Sequence, residues 1–208
     1  MKKLLVLTLA LVMTFAFGYV TLASTMGIGT TEGAVSVEVG TYVDPSDYTD
    51  EVDVTVYYGL NDQTLLYLGY GTDSEDIKLN VRYAFSENLA ATLKYVLAGQ
   101  EGDDDTITAG LRYKTNVSDS LALVGALQYT NYDPDAEIDV IGQVEYSFTK
   151  KVVGTLQYVY SEVGDLDGSM ITVGIETYPT DALCVYLDYE MPEDAEDDYA
   201  YLAVSYSF

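Results

Sequence analysis

From Val35 to Phe208, apolar and polar residues alternate in runs of about nine to eleven, many of them closing on a tyrosine. Leu89-Ala-Ala-Thr-Leu-Lys-Tyr95, Ile107-Thr-Ala-Gly-Leu-Arg-Tyr113 and Ile138-Asp-Val-Ile-Gly-Gln-Val-Glu-Tyr146 are typical. A period of two places successive side chains on opposite faces of a strand, so each run has one greasy and one wet face. A chain made almost wholly of such runs must pair strand with strand. The runs are also near the length that crosses a bilayer when tilted. The pattern predicts an all-β fold, an antiparallel up-and-down transmembrane β-barrel of about twelve strands.

The expected strands are Val35–Val43, Val52–Leu60, Thr64–Gly71, Ile77–Phe85, Leu89–Ala98 and Thr106–Thr115 in the first half. Leu121–Thr130, Ile138–Phe148, Val152–Ser161, Met170–Tyr178, Leu183–Glu190 and Tyr199–Phe208 complete the set. The pattern is weakest in the first three, and ten strands result if two of these merge or fail.

The connections alternate between two kinds. Asn61–Gln63, Ser86–Asn88, Asn116–Ser120, Thr149–Lys151 and Pro179–Asp181 are tight. Asp44–Glu51, Thr72–Asp76, Gly99–Asp105, Asn131–Glu137, Glu162–Gly168 and Met191–Asp198 are longer and acidic. Short turns at one rim and longer loops at the other are the asymmetry of membrane barrels. An even strand count returns both termini to the short-turn side.

The N-terminus reads as an export signal. Lys2-Lys3 precedes an uncharged apolar stretch from Leu4 to Phe17, and Thr21-Leu22-Ala23 offers a small-x-small cleavage site. Residues 1–23 are the expected signal peptide and residues 24–208 the barrel domain, with cleavage nearer Ala16 or Gly18 as a variant. An uncleaved anchor helix is disfavoured, because the stretch falls short of the roughly 20 residues a span needs.

Charge and missing residue types exclude other classes. The chain has nine Lys plus Arg against 34 Asp plus Glu. Two of the nine, Lys2 and Lys3, lie in the export segment, so nucleic acid is excluded as a partner. One cysteine, Cys184, leaves no intramolecular disulfide and no Cys pair for zinc. The absence of His removes the usual general base and the imidazole metal ligands. Carboxylates such as Glu145 and Asp139, or Glu176 and Asp188, could form an acid/base pair, but wall charge is the simpler reading. Neither catalysis nor a cofactor is expected.

The wet faces carry short residues such as Thr92, Thr108, Gly110, Ala122, Ala126, Thr155, Thr172, Gly174, Ala203, Ser205 and Ser207. A secreted soluble sandwich would also alternate, but its outer surface would bear many more charges of both signs. Small residues suit a confined lumen. The greasy faces carry tyrosines near both ends: Tyr83, Tyr113, Tyr146 and Tyr206 toward the short turns, and Tyr70, Tyr95, Tyr129, Tyr158 and Tyr189 toward the loops. Two belts of amphipathic rings match two membrane interfaces.

Signal peptide, alternating strands and the terminal run Tyr199-Ala-Tyr-Leu-Ala-Val-Ser-Tyr-Ser-Phe208 together resemble the bacterial outer-membrane β-barrel proteins, small monomeric porins among them. The resemblance covers the whole mature chain. It implies residence in outer-membrane lipid, with the short turns periplasmic. It also implies that Phe208 and Tyr206, with Val204 and Leu202 at alternate positions before them, form the signal read by the barrel-insertion machinery.

The bases of the spanning part fall on the wet face of three consecutive strands: Lys78, Arg82, Lys94, Arg112 and Lys114. The remaining wall carries Glu38, Asp53, Asp139, Glu145, Glu176, Asp188 and Glu190. In a barrel of about twelve strands, the fourth to sixth lie across from the tenth to twelfth, so a basic wall faces an acidic one. Lining charge is how pores select among ions and orient dipolar solutes. The expected function is a small passive channel for hydrophilic solutes or ions. The rival is a closed structural or surface-interaction barrel whose wall charges pair across a plugged interior. The acidic loops, Glu101–Asp105 and Glu193–Asp198 above all, could take divalent cations through oxygen ligands, though neither has the spacing of an EF-hand loop.

Overall fold

The computed structural model describes residues 32–43, 52–100, 104–131, 136–162, 168–193 and 198–208. The expected signal peptide and much of the acidic loops lie outside the described residues. Within them, the first six strands are β1 (Val35–Val43), β2 (Val52–Asn61), β3 (Thr64–Gly71), β4 (Ile77–Ala84), β5 (Leu89–Leu97) and β6 (Thr106–Asn116). The rest are β7 (Leu121–Asn131), β8 (Ala136–Thr149), β9 (Val152–Glu162), β10 (Gly168–Thr177), β11 (Leu183–Pro192) and β12 (Tyr199–Ser207). Each strand pairs antiparallel with the next, and β1 closes the barrel on β12, from Ser36 opposite Ser207 to Val43 opposite Ala200. All three of the weakly patterned first runs form strands, so the ten-strand alternative is set aside.

The barrel is inside-out relative to a soluble protein. Leu79, Leu93, Leu111, Leu127, Val140, Leu156, Val173 and Leu202 lie exposed on the outer face. Buried on the inner side are Glu38, Asp53, Arg82, Gln143, Thr172, Glu176, Ser205 and Ser207. An apolar surface running around every strand far exceeds the few hundred Å² that a soluble monomer exposes. The secreted soluble sandwich is therefore ruled out in favour of a barrel whose outer face needs hydrocarbon.

The five tight turns share one device, in which a side-chain oxygen near the start of the turn accepts from backbone N–H groups beyond it. Asn61 Oδ1 accepts from Gln63 and Thr64 at 2.9 and 2.8 Å. Ser86 Oγ accepts from Asn88 and Leu89, Ser118 Oγ from Ser120, Thr149 Oγ1 from Lys151 and Thr180 Oγ1 from Leu183. Such local bonds are why Asn, Ser and Thr favour turns.

Aromatic rings mark both rims. At the short-turn rim, Tyr83–Phe85, Tyr146–Phe148 and Tyr206–Phe208 repeat one edge-to-face pair, with centroids 5.1, 5.1 and 4.9 Å apart. Each pair joins residues two apart at the end of a strand, with Tyr83, Phe85, Tyr146, Phe148 and Tyr206 exposed on the outer face. At the loop rim, Tyr95 donates to Asp105 at 2.6 Å and Tyr189 to Asp198 at 2.8 Å. The Tyr95 hydroxyl and the Ala98 N–H together hold the Asp105 carboxyl below its ordinary range. Two upper-belt tyrosines thus bond the acidic residues that lead into β6 and β12.

Candidate functional site

Strand register places all five bases on the lumenal face of adjacent strands: Lys78 and Arg82 on β4, Lys94 on β5, and Arg112 and Lys114 on β6. Asn80 and Lys94 are cross-strand partners, as are Lys94 and Thr108, so one continuous inner face carries the row. The acidic residues also face inward: Glu38 on β1, Asp53 on β2, Asp139 and Glu145 on β8, Glu176 on β10, and Asp188 and Glu190 on β11. In the closed strand order, β10 to β12 lie across the barrel from β4 to β6. The basic row therefore looks across at Glu176, Asp188 and Glu190.

Sequence reasoning does not show how the two borders of the basic row are arranged. Lys78 Nζ bonds Asp53 Oδ1 at 2.9 Å, and Lys114 Nζ bonds Glu145 Oε2. Each pair links strands two apart along the wall, β4 to β2 and β6 to β8. Neither reaches across the lumen. The Lys78 and Lys114 side chains keep 35% and 23% of their surface accessible while Asp53 and Glu145 keep 11% each, so each pair sets a largely buried carboxylate against a base that still reaches the lumen. Beside the second pair, a cavity of about 370 Å³ opens at the short-turn mouth, lined by Lys114, Asn116, Ala122, Glu145 and Ser147 among others.

The larger departure from expectation concerns tyrosine. Tyr83, Tyr113, Tyr129, Tyr146, Tyr158, Tyr189 and Tyr206 are outward and exposed, as expected. Six others line the lumen: Tyr42 on β1, Tyr57 on β2, Tyr67 on β3, Tyr186 on β11, and Tyr199 and Tyr201 on β12. The register fixes this, because Tyr42 pairs with Tyr201, Tyr57 with Tyr67, Asp188 with Tyr201 and Glu190 with Tyr199. The rings form two groups, Tyr57–Tyr67 with centroids 5.0 Å apart and Tyr42–Tyr201–Tyr186 with 4.7 and 5.8 Å, which meet at Glu38 through the hydroxyls of Tyr57 and Tyr186. Gly40 makes the patch possible, since a Cβ there would collide with the Tyr201 ring. The Arg82 guanidinium lies 5.8 Å from the Tyr67 ring centre, joining the aromatic patch to the basic row.

The lumen thus has three sectors: bases on β4 to β6, short polar residues with carboxylates on β7 to β10, and tyrosines around carboxylates on β11 to β3. At the chain terminus, Tyr206 is exposed on the outer face with the Phe208 ring edge-to-face against it, and the Phe208 N–H donates to Val35 O at 2.9 Å, locking the end of the chain onto β1.

No protein-family model and no curated protein sequence matches the chain. Solved structures do match in fold. A KdgM porin in complex with disordered oligogalacturonate superposes with a TM-score of 0.65 at 13% identity, covering 84% of this chain and 99% of that one. The NanC porin gives 0.63 at 11% identity, with 83% and 98% covered. The Acinetobacter baumannii outer membrane protein Omp33 gives 0.59 at 10% identity, with 88% and 100% covered. The fold of the chain is that of bacterial outer-membrane porins over almost the whole length of those proteins.

Proposed function

We propose that the protein is an outer-membrane channel for small hydrophilic solutes and ions. The observation that carries this reading is the closed barrel with an apolar outer face and a polar, charged inner one, on which Lys78 and Lys114 keep part of their surface accessible. Its fold is shared with porins, one of which holds an oligogalacturonate in its structure. A barrel of about twelve strands lies between those filled by side chains and those enclosing a wide aqueous channel. Selection then falls to wall residues. Bases on one side and carboxylates on the other set a field across the lumen, which favours ions and small dipolar molecules over apolar ones. The mixed charge of this wall suits zwitterions better than extended polyanions. The acidic loops add a negative potential at the outer mouth, and divalent cations bridging lipid headgroups are the partners such a surface favours.

Purified barrel added to a planar bilayer in potassium chloride is expected to give discrete ohmic openings. Silence at every voltage would favour the closed, non-transporting barrel instead. Orientation has its own test. A short epitope tag inserted at Asp104 should be labelled on intact cells, whereas one at Glu87 or Asp119 should be reached only after the outer membrane is opened. Reversed labelling would place the acidic loops in the periplasm.

A further inference from the structure

Glu38 lies at the centre of the lumenal tyrosine patch. It is 5% exposed, and it pairs across β1 with Ser205 and Thr55 on the inner face. The hydroxyls of Tyr57 and Tyr186 donate to its carboxylate, while Oε2 is buried with no hydrogen-bond partner. Asp53 and Asp188 act on it electrostatically, and no base stands on β1, β2, β11 or β12 among the described residues. A carboxyl oxygen buried without a hydrogen-bond partner is costly, and the shape of its surroundings says which partner fits. The rings of Tyr57, Tyr186 and Tyr201 around it are each half-buried, with faces that attract a cation and edges that tolerate hydrocarbon. A metal ion would want more oxygen ligands than one free carboxylate oxygen supplies.

We propose that this patch binds the ammonium group of a small organic amine. One N–H⁺ bonds Glu38 Oε2, and the carbon skeleton lies against Tyr186 and Tyr201. Asp188 strengthens the negative potential that draws the cation in. Tyr201, seated over Gly40, is the ring that turns aside to admit it. The inference rests on the lumen being open to solutes, and its test separates the two readings.

The experiment follows butylammonium chloride by saturation-transfer NMR on the detergent-folded, full-length barrel, and separately as a blocker of single-channel current. Saturable binding and block are expected. Butyltrimethylammonium, which has no N–H, should bind about tenfold more weakly, because it forfeits the charge-assisted bond to Oε2. Glu38→Gln should raise the half-saturating concentration about tenfold or more. Tyr201→Leu should weaken binding while retaining the preference for the N–H probe. Equal binding of the two probes to the unmutated barrel would overturn the proposal without recourse to any variant, as would unchanged binding in folded Glu38→Gln. Ion conduction with no amine binding would overturn the site and leave the channel reading standing. Amine binding to a barrel that never conducts would support the site and overturn the channel.

Discussion

Replacing Lys94 and Arg112 together by alanine should leave the barrel folded and raise its cation-over-anion permeability ratio roughly five- to tenfold. A unit charge about 4 Å from a permeating ion is worth about 1 kcal/mol even in water-like surroundings, or a factor of about five, before screening trims it. Two such charges leave the middle of the basic row, while Glu176, Asp188 and Glu190 remain opposite. Reversal potentials in a salt gradient measure the ratio directly. The ion pairs at the row's borders, Lys78 with Asp53 and Lys114 with Glu145, involve neither altered residue. Both pairs are therefore expected to survive in the folded double variant. A marked fall in the melting midpoint would instead show that these bases prop the barrel by pairing inside it, since stripping a buried carboxylate of its partner is strongly destabilising. A stable double variant with unchanged ion preference would refute both roles.

Deleting Phe208 should reduce assembled barrel in the outer membrane by about tenfold or more, leaving degraded or aggregated chain in the periplasm. Two losses coincide. The Phe208 ring leaves its edge-to-face contact with Tyr206, worth about 1 kcal/mol. Its N–H also leaves Val35 O, the last bond of the β1–β12 pairing. Neither loss alone would prevent folding, so a tenfold effect would point to recognition of the terminal aromatic during insertion. Heat-modifiable migration on gels reports the assembled fraction, and refolding of the same variant in detergent supplies the control. Normal membrane assembly of the truncated chain would reduce Phe208 to a residue that merely packs at the interface.

The strands were legible almost residue by residue, because period-two alternation is a local property that one face in lipid and one in water enforces at every position. Where the strands outrun the expected bounds they do so by one or two residues, as at Ala136 and Pro192. The inward direction of Lys94 or Glu145 followed from the same parity. The lumenal tyrosines were missed because tyrosine is at home on either face, and its abundance suggested membrane belts alone. A usable signal was present. Tyr186 shares parity with Asp188 and Glu190, Tyr57 with Asp53, and Tyr199 and Tyr201 with Ser205 and Ser207. Tyr67 had no such guide, since its strand carries Leu65 and Gly69 on the same inner face. The pairing of Lys78 with Asp53 was beyond reach in another way. It depends on the registers of two successive strand pairs, and neither register can be read from one strand's pattern.

Closure by the terminal strands has a kinetic consequence. Eleven of the twelve pairings are hairpins between neighbours in sequence, while the twelfth joins Ser36 to Ser207. Hairpins close over a handful of residues, but this seam closes a loop of about 170. On the logarithmic scaling of loop-closure entropy, that is about four doublings and roughly 2.5 kcal/mol beyond a short hairpin. The difference is small at equilibrium, but it orders events in time. Contacts of high sequence separation are the slow ones to form, so the seam is expected to close after the hairpins. Until it closes, β1 and β12 are open edges, each offering a row of unpaired N–H and C=O groups to any other strand. A nascent barrel of this kind is most prone to pair wrongly at the end of its chain, where a chaperoning partner holding β12 until β1 arrives would do the most good.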